Sequence, residues 1–407
     1  MNYYLAAILT LVGYALYQLY IYPLYLSPLR KIPSSPVDSF IFGHYAFYNK
    51  KQGEAFVHLI KQYGGIVRLH VLNVPYLLIP DQKLVQEIIV NRGYEFPKYH
   101  ISKPLIKDIL DESITFAQGE AHKRQRKMMS PSFSFANVKE MLPIFVQAGH
   151  KLKDIWINQI GNKKEERITI TELISKTTLD IIGLVEKLIA EKKNATVREK
   201  DFLSLLIQTN EVMPANEQLK HSELLSMVMT ILMAGHKTTS TSLSWALYYL
   251  AKNPNMQERL RKEIFEIFTD CNHCPTFDEI DQLKYLECVY KEILRIAPPG
   301  NSNGYSHLCI HHDPLIWGDD AKYFNPSRWL NPEIKSKVSN STYLPFAAGP
   351  RFCLGMKMAH LELKVLLSII IRNFEFRLVE GFTFEKLSFA LTKPFPGIDL
   401  FVSKVDY

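Results

Sequence analysis

Hydrophobic and polar positions divide the 407-residue chain into unlike stretches. Residues 1–29 hold no charged side chain, and Tyr4 to Leu26 is mostly Leu, Ile, Ala, Val and Tyr. Such a run can cross a bilayer as one helix, with tyrosines at both ends suiting the two interfaces. It is too long for a secretory signal and lacks a small-x-small cleavage site. Arg30 and Lys31 follow at once, so positive-inside bias leaves the rest of the chain in the cytosol. Pro28, Pro33 and Pro36 then make a stiff linker.

Beyond the linker the pattern predicts a short helix from Glu54. Two β-rich pieces follow, Ile66–Val71 and Tyr76–Ile79, with Asn73 and Pro75 between them as a hairpin signal. Gln82–Asn91 reads as a short amphipathic helix, and Gly119–Lys127 as a basic one with His122 and Arg126 on one face. Ile168–Leu184 looks like a strand running into a helix. Ser222–Lys252 predicts one helix of about thirty residues, roughly 45 Å long. Ser222 is placed to cap it and Asn253-Pro254 to end it. A long apolar run, Met358 to Ile371, predicts a buried helix, and Val379 to Asp399 a terminal β-hairpin. The fold class is mainly α with a small β-rich lobe.

Composition changes this picture little. The length allows a large core in one big domain or two. A net charge of +7 suits anionic lipid or an acidic protein partner. No nucleic-acid motif is present. Five cysteines, an odd number scattered over the chain, argue against a disulfide framework and for a reducing compartment. Cys271-Asn-His-Cys274 has half of a zinc spacing and no second pair, so it reads as a surface loop with two thiols.

Three stretches carry candidate chemistry. In Leu344-Pro-Phe346-Ala-Ala-Gly349-Pro-Arg351-Phe-Cys353-Leu-Gly355, one cysteine lies just ahead of the apolar run. A helix N-terminus favours a thiolate, which can ligate a metal. Gly349 permits a tight turn, Gly355 a close approach to a flat partner, Arg351 a carboxylate contact, and Phe346 a shield for the sulfur. One thiolate, one arginine and two glycines on a loop suit a haem with a cysteine-ligated iron. In the second stretch, Gly235-His-Lys237-Thr238-Thr-Ser-Thr-Ser242, five hydroxyl residues can bond back to the preceding turn. The third is Glu292-Ile-Leu-Arg295 ahead of Pro298-Pro299, with Phe324-Asn-Pro-Ser-Arg328-Trp329 further on.

The spacing Phe-x-x-Gly-x-Arg-x-Cys-x-Gly, preceded in order by the other two stretches, resembles the haem-thiolate monooxygenases of the cytochrome P-450 superfamily. The anchor, basic pair and proline hinge resemble its microsomal, membrane-anchored members. The resemblance implies a transmembrane anchor over residues 1–29 and a haem domain over 30–407, cytosolic on the endoplasmic reticulum membrane. It implies haem b on Cys353, and electrons from NADPH through a flavoprotein reductase. The reaction implied is insertion of one oxygen atom of O2 into a small apolar substrate. Arg126 and His122 would contact a haem propionate, although the family has tryptophan where this chain has His122. Lys123, Arg124 and Lys127 would face outward toward an acidic redox partner. Gly235 would leave room for O2, Thr238 would donate it a hydrogen bond, and Glu292, Arg295 and Arg328 would lock the loop before the cysteine.

Three departures from the family pattern stand out. Lys237 occupies the position of an acid, and no acid lies between Glu223 and Glu258 on that helix. A lysine donates protons if burial tunes it, and here it would weaken the coupling of electron use to product. The segment from Glu186 to Lys200 is too short and charged for the two helices that roof the substrate pocket in the family. Between Pro299 and His311 the pocket strands and a second propionate ligand are likewise missing, with His307 either a remnant of that ligand or a plain loop histidine. Two further readings therefore stay open: a membrane-anchored haem binder with impaired or no turnover, and a haem-thiolate isomerase or peroxygenase.

Overall fold

The computed structural model describes residues 2–37, 39, 42–44, 54–71, 74–97, 113–193, 210–215, 217–300, 306–388 and 391–405. Its architecture is mainly helical with small antiparallel sheets, as the pattern predicts.

Helix α1 (Asn2–Leu16) continues as a wider π-helical segment, Tyr17–Leu26, around Pro23, which cannot donate to an ordinary helical bond. Among the described residues Tyr3–Lys31 is the one helix long and apolar enough to cross a membrane, and none of its most apolar window is buried. Ser27 then turns the chain, its hydroxyl accepting from Leu29 N (3.2 Å).

The small lobe holds α2 (Glu54–Tyr63) over the hairpin β1 (Val67–Val71) and β2 (Val74–Leu78), with Leu69 opposite Tyr76. Val67, Leu69 and Leu78 join Phe56, Leu59 and Cys309 in a core of their own. Next come α3 (Gln82–Gln86), a π-helical turn (Glu87–Asn91) and α4 (Gly119–Met129).

In the main body, α5 (Phe135–Glu140) and α6 (Leu142–Ile160) lead to β3 (Glu166–Thr169). Helix α7 (Ile170–Lys193) follows, extending past the expected limit at Leu184. The predicted long helix is α8 (His221–Lys252), which packs along α7. Its cap differs from expectation. Lys220 is the N-cap, and Glu223, not Ser222, supplies the side-chain bond, accepting from Lys220 N (2.8 Å). After α9 (Pro254–Ile267), α10 (Phe277–Gln282) and α11 (Lys284–Ile296) come the short α12 (Ser306–His311) and α13 (Pro314–Trp317). His307 therefore lies on a helix rather than a loop. Residues 194–209 and 301–305, on which much of both expected gaps falls, lie outside the described residues.

Following α14 (Pro332–Lys337), the apolar run forms α15 (Met356–Asn373), buried along most of its length against α6 and α9. It flows into β4 (Phe374–Leu378). Strands β5 (Glu385–Ser388) and β6 (Thr392–Phe395) make the expected hairpin, whose tip at 389–390 is outside the described residues. The last strand, β7 (Asp399–Lys404), is central in a three-stranded sheet between β3 and β4. Phe374 and Phe376 from that sheet meet Trp156 edge-on at 5.5 and 5.8 Å, filling the end of the main core.

Candidate functional site

The cysteine loop turns twice before α15. Ala347 sits at φ 58° and Gly349 at φ 67°, both in the left-handed region. A Cβ on Gly349 would lie 2.2 Å from Ile89 O, so only glycine lets the loop rest against the π-helical turn. Cys353 N donates to Phe346 O (2.8 Å), closing the loop, and Cys353 is exposed three residues before α15 begins. Nothing lies within 4 Å of a Cβ built on Gly355, which leaves open space beside the sulfur-bearing turn. Phe346 packs edge-on against His360, ring centres 4.8 Å apart.

Two arginines flank the cysteine. Arg126 donates to Phe352 O (2.7 Å) and stacks 4.1 Å from the Phe352 ring. Burial pulls its guanidinium below the usual arginine range, while the nearby Cys353 and Tyr94 oppose that shift. Arg351 donates to Ala117 O (2.9 Å) and Gln118 Oε1 (2.6 Å), and burial lowers it too. Its Nε is buried with no hydrogen-bond partner among the described residues. His122 is buried, with Nδ1 3.0 Å from Tyr94 Oη, and the Arg351 guanidinium lies 5.3 Å from the Tyr94 ring. Tyr94 thus joins the two expected contacts, His122 and Arg351, in an arrangement that spacing along the chain does not reveal.

In the basic row of α4, Lys123 and Lys127 are exposed and Arg124 is half-buried, and each has an acidic neighbour. Lys123 pairs with Glu120 (2.6 Å), Arg124 with Glu223 (2.8 Å) and Lys127 with Glu217 (2.8 Å). Two of these bonds tie α4 to the start of α8.

On α8 the hydroxyls do bond backward. Thr238 donates to Ala234 O (2.7 Å), Ser242 to Thr238 O (3.0 Å) and Ser244 to Ser240 O (2.7 Å), and the helix stays continuous. Gly235 departs from its expected part. A Cβ there would lie 2.3 Å from Ile182 Cδ1, so the room it leaves is filled by α7. Ala234 is exposed and Thr238 half-buried, and they mark the open face instead. Lys237 is also exposed rather than buried, its Nζ donating to Ser175 Oγ at 3.3 Å.

An acid does approach this stretch, from another helix. Glu362 of α15 is buried, with Oε2 3.5 Å from Thr239 Oγ1 and Oε1 lacking a partner among the described residues. Burial pushes its carboxyl up to about 8, so it is mostly protonated at neutral pH. The signal available beforehand was a lone acid inside an apolar run, nine residues after the cysteine.

Glu292 is the centre of the third cluster. Its two oxygens accept from Arg295 Nε and Nη2 (2.9 and 2.7 Å), Arg328 Nε (2.9 Å), Asn325 N (2.9 Å) and Trp329 Nε1 (3.0 Å). Other N–H groups of the two arginines donate to the carbonyls of Ala321, Tyr323 and Trp317. A buried ion pair holds only when its lone pairs and protons are satisfied this fully.

A haem fits this donor set: one exposed sulfur ahead of a helix, open space at Gly355, and a buried arginine nitrogen in need of an acceptor. By contrast, no cluster of three or more metal-ligating side chains occurs among the described residues, and none of the five cysteines is disulfide-bonded.

Comparison with known proteins agrees. The family described as cytochrome P-450 matches residues 33–186, 183–307 and 304–397. The joins between these pieces fall beside the two places where the sequence pattern is short. The chain is 26% identical over 478 residues to cytochrome P-450 monooxygenase 128 of Postia placenta, covering 86% of this chain and 87% of that one. It is 26% identical to cytochrome P-450 monooxygenase sphH of Aspergillus fumigatus, with 89% and 86% covered. It is 25% identical to the 7-deoxyloganic acid hydroxylase of Catharanthus roseus, with 86% and 84% covered. An aligned span of 478 positions exceeds the 407 residues present here, so that relative carries internal residues this chain lacks. Matched in three pieces over most of its length, the chain belongs to the cytochrome P-450 family.

Proposed function

We propose that this chain is a haem-thiolate monooxygenase that inserts one oxygen atom of O2 into a small apolar substrate. Electrons would come from NADPH through a flavoprotein reductase on the same membrane. Residues 1–29 would anchor the protein in the endoplasmic reticulum and residues 30–407 form the cytosolic haem domain. The observation that carries this is the exposed Cys353 at the end of a loop held from both sides, beside the open space at Gly355.

Bound haem b supplies the oxygen chemistry, with thiolate donation favouring O–O cleavage. The chain's own residues hold and seal it. Cys353 Sγ would ligate the iron, and Arg351 Nε, Arg126 and His122 would hold the haem carboxylates. Phe346 and the backbone turned by Gly349 would shield the sulfur from water with the haem in place. Glu292, Arg295 and Arg328 fix the segments that precede the loop. On α8, Thr238 Oγ1 holds its proton on Ala234 O at the edge of the open face. Glu362 stores a second proton one residue away, beside Thr239 Oγ1, and stands in for the acid missing at position 237. Lys237 adds exposed positive charge and loosens the coupling between electrons used and product formed.

A second reading, a haem-binding member with impaired turnover, draws on one further observation. Leu225, Met229 and Met233, four apart on α8, are exposed. The reduced, CO-bound spectrum tests the main reading. A far-red Soret band that Cys353→Ala abolishes is expected, and a band surviving that substitution would falsify it. Reductase-driven O2 consumption without product would select the second reading.

A further inference from the structure

We infer that His311 is a positioning residue that holds the cysteine loop to the Glu292 cluster through a neutral, tautomer-fixed imidazole. The inference rests on Cys353 being the iron ligand. His311 is fully buried at the end of α12. Its Nε2 accepts from Leu344 N (2.8 Å), the first residue of the loop. A nitrogen that accepts carries no proton, so the proton is on Nδ1, which points at Arg295 O (3.2 Å) and donates there. Arg295 Nη1 donates in return to His311 O. One side chain therefore joins the backbone of α11 to the backbone of the loop.

From Leu344 the bonds continue toward the sulfur. Ala347 N donates to Leu344 O (3.1 Å), and Cys353 N to Phe346 O (2.8 Å). Between these bonds Ala347 keeps a left-handed φ of 58° without being glycine, a conformation that persists only where both flanks are held. Downstream the hold is the Cys353–Phe346 bond; upstream it is His311. The imidazole is itself packed in place, with Tyr343 at 5.6 Å and the edge of Trp317 at 6.5 Å between ring centres. Tyr343 is tied to α11 as well, its hydroxyl donating to Lys291 O (3.1 Å). Without an acceptor at His311, Leu344 N would be a buried donor with nothing to bond, and the loop would shift to find one.

The test compares wild type with His311→Phe, which keeps a ring but no acceptor, and His311→Gln, which offers both an acceptor and a donor. Amide hydrogen exchange is read on haem-free protein, and the reduced CO spectrum on loaded protein. Leu344 N–H in wild type is expected to be as protected as the core amides of α11. In His311→Phe its protection should fall about ten-fold, the factor for one lost buried hydrogen bond. The far-red band should also give way in large part to the shorter-wavelength form, and His311→Gln should regain both. If Leu344 exchanges as fast as an open loop amide in wild type, the inference fails, whatever the variants do. It also fails if His311→Phe retains both protection and band, or if His311→Gln is no better than His311→Phe. Cys353→Ala, run alongside, separates the two ideas. A band that survives there ends the ligand reading; a band lost there but unchanged in His311→Phe ends only this one.

Discussion

The cysteine side of the molecule and the open face of α8 are built to different standards. On the cysteine side five donors converge on Glu292, His311 extends the network to Leu344 through a buried bond, and a backbone bond from Cys353 closes the loop. On the open face Leu225, Met229 and Met233 are exposed, and Lys237 makes one long bond to Ser175. The family match breaks at two joins, near 183–186 and 304–307, and the span aligned with one relative is longer than this chain. In the proposed function, holding a cofactor and covering a substrate are thus separable tasks. A buried polar network depends on every member being satisfied, whereas exposed segments tolerate change far more readily.

The largest effect should come from the first task. Glu292→Ala leaves the buried Arg295 guanidinium without a carboxylate and Arg328 with Asp320 alone, and should cost about 3–5 kcal/mol of stability, read by thermal or urea unfolding. A loss near zero would mean that the two sides do not differ as described. Gly235→Ala should cost about 1–3 kcal/mol, because its methyl meets Ile182 on α7. If it instead changes O2 binding with stability intact, the glycine serves the open face after all.

Glu362 lies between the two regions and gives the comparison a pH axis. Its folded value of about 8 is above the ordinary glutamate range, so the folded state binds the extra proton. The stability this contributes is complete below the unfolded value and is lost as pH rises through about 8. Unfolding measured from pH 5 to 9 should show that decline, and Glu362→Gln should flatten it. The same variant should raise peroxide release per electron if the stored proton is used. Lys237→Glu, restoring an acid on the open face, should lower peroxide release with almost no change in stability. No change in release would remove Lys237 from the mechanism.

The cysteine loop, the threonine helix and the Glu-x-x-Arg helix were legible because each depends on residues close together in the chain. What escaped depends on partners far apart. Glu362 meets Thr239 across 123 positions, and Arg124 and Lys127 find Glu223 and Glu217 some 90 to 99 positions on. Local spacing reports which face of a helix a residue occupies, not which element covers that face. Gly235 shows the same limit, for its helix position is readable but the methyl of Ile182 that fills its space is not. The cap at Glu223 was missed for a nearer reason: Ser222 has the better capping chemistry, yet the helix starts one residue sooner.

The sheet with β7 at its centre has a consequence for biosynthesis. Among the described residues strand β3 pairs with residues 399–402 alone, so it waits for that neighbour while more than half of the polypeptide is still being translated. An unpaired edge of that kind invites pairing with other nascent chains, and the charges it carries, exposed Arg167 and half-buried Glu166, are the sort that discourage such mispairing until the ribosome releases the final strand.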